Sequence, residues 1–220
     1  VSGWTHSNGE VEIWTITDRV TLLNPPSIGV CLAHRYPSYH AAGCEEVIRT
    51  LTGRITEAFG LADGPIYYQM LVEDDTARLT DRVPERGGSS ESTVIVNEIA
   101  FRLGGAYEDQ SIPTVTGVDV LQRQLNAIEG AIDRGASAPA PSASGAPRSR
   151  FFAVPLMFAR PGTVTRLEGG EALRALDGVS DAQFLLPVGT EIRPMVNSTQ
   201  RIAYAVLSAS TRERINELIH

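Results

Sequence analysis

Apolar positions alternate with polar ones in some stretches of the chain and recur every three or four residues in others. Near the start, Val11, Ile13 and Thr15 alternate with Glu10, Glu12 and Trp14, and Ser7-Asn8-Gly9 separates this run from "VSGWTH". Asn-Gly between alternating segments predicts a hairpin, so residues 1–20 read as two strands. "SIGVCLAHRYPS" predicts a further strand closing on Arg35-Tyr36-Pro37. Over residues 41–60 the period changes. Cys44, Val47, Ile48, Leu51, Ile55 and Phe59 form one apolar stripe, which predicts a helix stopped by Gly60. "PIYYQMLV" and "VNEIAF" predict two strands joined by the polar excursion "EDDTARLTDRVPERGGSSES", a long-looped antiparallel unit. Thr116 with Asp119 makes a capping-box pattern ahead of a helix whose buried stripe is Leu121, Leu125, Ile128 and Ile132.

Residues 135–149, "GASAPAPSASGAPRS", have no apolar period and predict a flexible linker or loop. Beyond it, "RFFAVPLMFARPGTVTRL", "AQFLLPV" and "RIAYAVLSAS" predict strands, with short helices at "EALRAL" and "TRERINELI". There is no internal repeat. The pattern predicts an α+β protein. A largely antiparallel sheet flanked by helices occupies 1–134, a linker 135–149, and a small β-rich domain 150–220.

The net charge of −7 argues against nucleic acid as a partner, since such binders carry a basic face. No apolar run approaches the roughly 20 residues that span a bilayer, and no signal-peptide pattern opens the chain, so a cytoplasmic protein without a membrane partner is expected. Cys31 and Cys44 are too few for a disulfide framework or a zinc site, and Cys44 falls on the apolar helix stripe as a small buried hydrophobe. All 19 basic residues are arginine. A complete nucleotide-using enzyme normally brings a lysine to the phosphates. Its absence fits either a GC-rich genome or a chain that lacks the lysine-bearing segment.

The strand "VNEIAFRLGGAYED", 96–109, carries more charge than core filling requires. Gln69 and Glu98 lie on successive strands, where side chains on one face approach to about 5 Å, so an amide oxygen and a carboxylate could share one cation. Magnesium accepts such sparse hard-oxygen coordination. Spacing alone leaves two ordinary outward polar positions as the plainer alternative. Arg102, four residues beyond Glu98, could bridge phosphate oxygens, and Gly104 and Gly105 would let backbone amides approach an anion.

The run "IYYQMLV" to "VNEIAFRLGGAYEDQSIPTVTGVDVLQRQL" resembles the C-terminal part of an ATP-grasp ligase. The pattern is a strand with a metal-binding Glu or Gln, then Glu-x-x-x-Arg, a glycine pair and a "TGVD" helix start. The segment from "MFARPG" to "VLSAS" is similar to the small C-terminal domain of the L-amino-acid ligase branch. The carbamoyl-phosphate synthase and purine-biosynthetic branches are near rivals. The resemblance implies an enzyme that forms an acyl phosphate from ATP and a carboxylate, then joins it to an amine. It implies Mg2+ (or Mn2+) held by Gln69 and Glu98, which also serve the nucleotide, and Arg102 as the catalytic residue facing the transferring phosphoryl group. Gly104 and Gly105 would bind substrate. The partners implied are ATP, a small carboxylate and amine, and N-terminal domains of the same polypeptide with their lysines, preceding residue 1. A homodimer is left open, and this portion alone is expected to be inert. One position departs from the pattern: many members place a metal-binding Asn where Ala100 stands, and Asn97 points to the other face. That departure keeps open a binding or scaffold protein that retains the fold without the chemistry.

"HRYPSYH", 34–40, predicts a loop leading into the helix, in which Arg35 could clamp a substrate carboxylate. His34 and His40 lack a third ligand nearby for a metal. Glu108 and Asp109 could meet a substrate amine or simply solvate a turn. "NST" at 197–199 matches a glycosylation acceptor that a cytoplasmic chain would not use, and Ser89, Ser90 and Ser92 have no triad context.

Overall fold

A computed structural model describes residues 1–23, 27–73, 93–132 and 149–219. In chain order its elements are β1 (Ser2–Thr5), β2 (Val11–Thr15), β3 (Asp18–Thr21), β4 (Cys31–Tyr36), α1 (Glu45–Ala58), β5 (Gly64–Glu73) and β6 (Thr93–Ala100). There follow α2 (Glu108–Thr116), α3 (Val120–Ile132), β7 (Phe151–Met157), β8 (Gly162–Thr163), α4 (Gly170–Arg174), β9 (Val179–Phe184), β10 (Glu191–Ile192), β11 (Ala203–Ala209) and α5 (Arg212–Ile219). The strands form a four-stranded sheet β2-β1-β5-β6, a five-stranded sheet β3-β4-β7-β11-β9 and a small pair β10-β8. All pairings among the described residues are antiparallel. The α+β class with antiparallel sheets is thus as expected. No helix among the described residues is long and apolar enough to cross a membrane. The linker expected over 135–149 lies, apart from Ser149, outside the described residues, as do Ser89, Ser90 and Ser92.

The chain divides into two compact units. The first takes Val1–Ile16, Ser38–Gly104 and Ala127–Ser137; the second takes Thr17–Pro37, Gly105–Asn126 and Ala138–His220. In the first, the predicted hairpin forms: Gly9 turns at φ 82 and Asn8 Oδ1 accepts from the Glu10 amide at 3.0 Å. Gly3 packs so tightly under β2 that a Cβ would collide with the Glu12 carbonyl oxygen. The predicted second strand is in fact two, β2 and β3, which belong to different sheets.

Helix α1 lies on one face of the first sheet, but its buried face is not the predicted stripe. Cys44, Ile48, Thr52 and Thr56 are buried, whereas Val47 and Phe59 are 47% and 64% exposed. Thr52 and Thr56 turn inward because each hydroxyl bonds within the helix, to the carbonyls of Ile48 (2.7 Å) and Thr52 (2.9 Å), which leaves their methyl groups for the core. Thr56 Oγ1 also shares a hydrogen bond with the Tyr68 hydroxyl at 3.1 Å. Ala41, Cys44 and Ile48 pack against Met70, Val72 and Val94 of β5 and β6.

In the second unit the five-stranded sheet is buried on both faces. Cys31, Phe152, Val154, Leu156, Tyr204 and Val206 make one layer. Ala153, Ala182, Ala205, Leu207 and Ala209, with Ile215 of α5, make the other. That is why β7 and β11 read as unbroken apolar runs. Helix α2, which the capping-box reading did not foresee, ends at Thr116, whose hydroxyl donates to the Ile112 carbonyl. Asp119, not Thr116, caps α3, accepting from the Gln122 amide at 2.9 Å. The stripe expected to be buried on α3 is exposed: Leu121, Leu125 and Ile128 are about half accessible, and the inward face carries Val120 and Arg123. Two overlapping helical stripes differ by one residue, and the apolar count favoured the wrong one.

His34 sits in β4 opposite Arg19 on β3 and Val154 on β7. Burial and the Arg19 charge hold its pKa down at about 4. Unfolded histidine titrates near 6.5, so the unfolded chain binds the extra proton first. The full stability present above pH 6.5 therefore declines as pH falls through 6.5 and levels off below about 4, a loss of about 3 kcal/mol. Denaturant titrations across that window should show the decline in the parent chain and a flatter profile in His34→Gln.

Candidate functional site

Strands β5 and β6 place the sequence candidates in register. Gln69 is directly opposite Glu98, with an irregularity between Gln69 and Met70 that absorbs one extra residue on β6. Tyr68, Met70, Val72 and Val94 face α1, so alternation puts Gln69 and Glu98 together on the other face. The flanking pairs on that face are Tyr67 with Ala100 and Leu71 with Ile95. Leu71 and Ile95 are 52% and 50% exposed, an apolar strip beside two oxygen-bearing side chains.

Arg102 lies just beyond the end of β6 rather than on the strand. It still reaches back, with Nη2 3.9 Å from Glu98 Oε1 and Nη1 donating to the Leu103 carbonyl at 2.8 Å. An ion pair this long and this exposed contributes under about 1 kcal/mol, so it would yield readily to a competing cation or anion. An amide and a half-exposed carboxylate, side by side on adjacent strands, fit the sparse hard-oxygen set that a magnesium ion accepts. Ala100, next on the same face, offers no third donor. Among the described residues no group of three or more His, Cys, Asp and Glu side chains could hold a metal.

Gly105 is exposed, with open space where a Cβ would stand. His34 and Arg35 belong to β4, the strand expected to close on Arg35-Tyr36-Pro37, and the loop into the helix begins only at the cis Tyr36-Pro37 bond. Arg35 lies in the second unit, opposite Asp18 and Ala153 in the sheet, whereas Gln69, Glu98, Arg102 and Gly104 lie in the first. His40 is exposed ahead of a short 3-10 turn. Glu108 is buried in the first turn of α2 rather than solvating a turn.

A group that the sequence did not flag follows the glycine pair. Tyr107 takes a left-handed backbone (φ 56, ψ 43) just before α2, a conformation that costs a side-chain-bearing residue about 1–2 kcal/mol. Its ring stacks on Tyr204 with centroids 3.5 Å apart and planes 15° apart. Arg201 Nε donates to its hydroxyl at 3.1 Å, and the guanidinium carbon lies 5.4 Å from the ring centroid. Tyr204 in turn donates to Asp181 Oδ2 at 2.5 Å. Burial and that carboxylate push its pKa up to about 12, so the phenol stays a donor at any ordinary pH. The stack contributes about 0.5–1.5 kcal/mol beyond area burial, which offsets part of the backbone cost. The one cue in the sequence, a tyrosine three residues past Gly104, carries no period of its own.

Residues 154–220 match the family model of the L-amino acid ligase C-terminal domain 2. No curated protein matches the chain. The L-amino acid ligase of Bacillus licheniformis is structurally similar, with a TM-score of 0.68 at 17% identity over 98% of this chain and 47% of that one. So are the phosphoribosylglycinamide synthetase of Anaerococcus prevotii (0.65, 12%, 99% and 49%) and the biotin carboxylase domain dimer of Hydrogenobacter thermophilus 2-oxoglutarate carboxylase, complexed with magnesium ADP and bicarbonate (0.66, 14%, 99% and 42%). The fold is therefore that of the ATP-grasp ligases, and the chain spans about half the length of these proteins. For the Tyr204–Asp181 bond, Tyr204→Phe removes a hydrogen bond to a half-buried carboxylate that keeps Gln183 Nε2 as a donor at 3.1 Å, and should lower stability by about 1 kcal/mol in thermal or denaturant unfolding.

Proposed function

We propose that the chain is the C-terminal part of an ATP-dependent carboxylate–amine ligase, with an amino acid as the first substrate to try. The observation that carries this reading is the register that sets Gln69 opposite Glu98 with Arg102 beside the carboxylate. The match of residues 154–220 to an L-amino acid ligase domain supports the branch. Chain coverage of 42–49% in similar ligases supports further domains of the same polypeptide as partners.

In this reading the carboxylate substrate takes the terminal phosphoryl group of ATP, ADP departs, and an amine then displaces phosphate from the acyl phosphate to form a C–N bond. Gln69 and Glu98 would hold Mg2+ (or Mn2+), which when bound neutralises phosphate oxygens. Arg102 presents a planar guanidinium that can bridge two oxygens of the transferring group. Its weak tie to Glu98 leaves both side chains available to ligands. Leu71 and Ile95 provide an apolar surface beside the polar pair for a nucleobase. Gly105, without a side chain, lets an anionic group approach the backbone. Catalysis of this kind depends on positioning and charge neutralisation more than on a protein nucleophile.

Ala100 favours a second reading, a protein with the fold and weaker or absent metal chemistry. Calorimetric titration of the full-length polypeptide with ATP, with and without magnesium, separates the two: magnesium-dependent binding supports the ligase, and its absence supports the second reading. In that protein Glu98→Gln should weaken magnesium-dependent ATP binding by at least about tenfold, since even outer-sphere changes at metal sites cost about 10–100-fold. The melting temperature should scarcely move, because Glu98 is half exposed. Unchanged affinity would remove Glu98 from the metal site. Arg102→Lys keeps the charge but not the fork, and should lower kcat more than it raises the KM for ATP.

A further inference from the structure

The second unit contains a side-chain stack at the margin of one hydrophobic layer, to which Tyr204 belongs and against which Tyr107 packs, placed directly after the glycine pair. Arg201, Tyr107 and Tyr204 are layered in sequence, and Asp181 fixes the far end through the Tyr204 hydroxyl. Arg201 is itself tied down, with Nη1 donating to the Ser198 carbonyl at 3.1 Å. Ser198 opens a short turn closed by a capping box in which Asn197 and Gln200 exchange hydrogen bonds with the backbone. Every member of the stack is thus held by something other than Tyr107. Tyr107 is the one whose backbone is in an unfavourable region, and its carbonyl accepts from the amides of Gln110 and Ser111 as α2 begins.

A residue in the left-handed region before a helix is ordinarily glycine, asparagine or aspartate. Tyrosine gains nothing there from its backbone. What it gains is the ring contact, so the conformation is selected by the stack rather than by local preference. Ala106 is buried and Gly105 exposed, so the two residues ahead of Tyr107 are clamped on one side and open on the other.

We infer that Tyr107 is a positioning residue: by stacking on Tyr204 it fixes the backbone of Gly105 and Ala106, so that the open glycine stands preset for an anionic substrate group. The function of that preset backbone rests on the ligase reading; the clamp itself does not. In this arrangement Tyr204 and Arg201 contribute to the reaction through Tyr107, without touching substrate themselves.

Amide hydrogen exchange in the 220-residue chain tests the clamp. Tyr107→Gly makes the left-handed backbone easier and removes the ring. If the stack holds the loop, exchange at Gly105 and Ala106 rises by about tenfold or more, while Val154 and Val206 in the sheet interior stay within about twofold. Tyr107→Phe keeps the ring and should leave both amides near parent rates. Parent-like rates in the glycine variant, or fast rates in the phenylalanine variant, overturn the inference. Should the glycine variant loosen the sheet interior as well, Tyr107→Asn, which also tolerates this backbone, takes its place under the same criteria. In the full-length polypeptide, the glycine variant should lower kcat about tenfold with the KM for ATP within about twofold, and phenylalanine should restore kcat. A freed loop with unchanged kcat overturns the positioning role. Parent protein that binds no magnesium ATP overturns the ligase reading instead, and the exchange result still judges the clamp.

Discussion

The register between β5 and β6 is the constraint on which the candidate chemistry depends. Side chains alternate strictly across a strand, so a slip of one residue would carry Glu98 to the α1 face and bring an apolar neighbour out in its place. The register is pinned from the apolar side. Tyr68 is fully buried and bonded to Thr56, and Met70, Val72 and Val94 pack on Ala41, Cys44 and Ile48. The polar pair on the open face is thus held by contacts made on the opposite one. The irregularity after Gln69 makes this possible, because it lets β6 supply one more residue than β5 while both keep their apolar sides inward.

The second unit solves a different problem. Its sheet carries an apolar layer on each face, and its polar contacts gather at an edge strand and around the ends of elements: Asp181 of β9 with Tyr204, Arg201 with Tyr107, and Arg212 with the Pro37 carbonyl at 3.1 Å. These contacts act at the rim, where a loop can be fixed in a conformation its own sequence would not choose. Tyr107 is the clearest instance.

Much of the fold could be read directly. The Asn8-Gly9 turn, the alternation around Gln69 and Glu98, and the strands at β7 and β11 are local signals, and they formed as expected. Other features depend on contacts that no local pattern encodes. Thr52 and Thr56 count as polar by composition, yet they bury because their hydroxyls close on the helix backbone. Helix α2 contains Pro113 among serines and threonines and looks like a breaker, but the proline falls in a helix held by buried Ile112 and Ser111. Strand β4 was legible as a strand, but its pairing with β7, across more than a hundred residues, was not, and that pairing puts Arg35 in the sheet of the second unit. Of the candidate site, the Gln69–Glu98 pairing followed from strand succession. The place of Arg102 past the strand end and the Tyr107 stack required the tertiary structure.

The two cysteines, met at first only as small hydrophobes, have a use that neither their chemistry nor their number advertises. Cys31 lies in the core of the second unit and Cys44 in the core of the first, each almost wholly hidden, and burial pushes the Cys31 thiol pKa up. Neither forms a disulfide. The chain therefore carries one concealed thiol per unit. The rate at which a thiol reagent reaches each of them is a separate clock for the opening of that unit, readable by peptide mapping without introducing a single foreign residue.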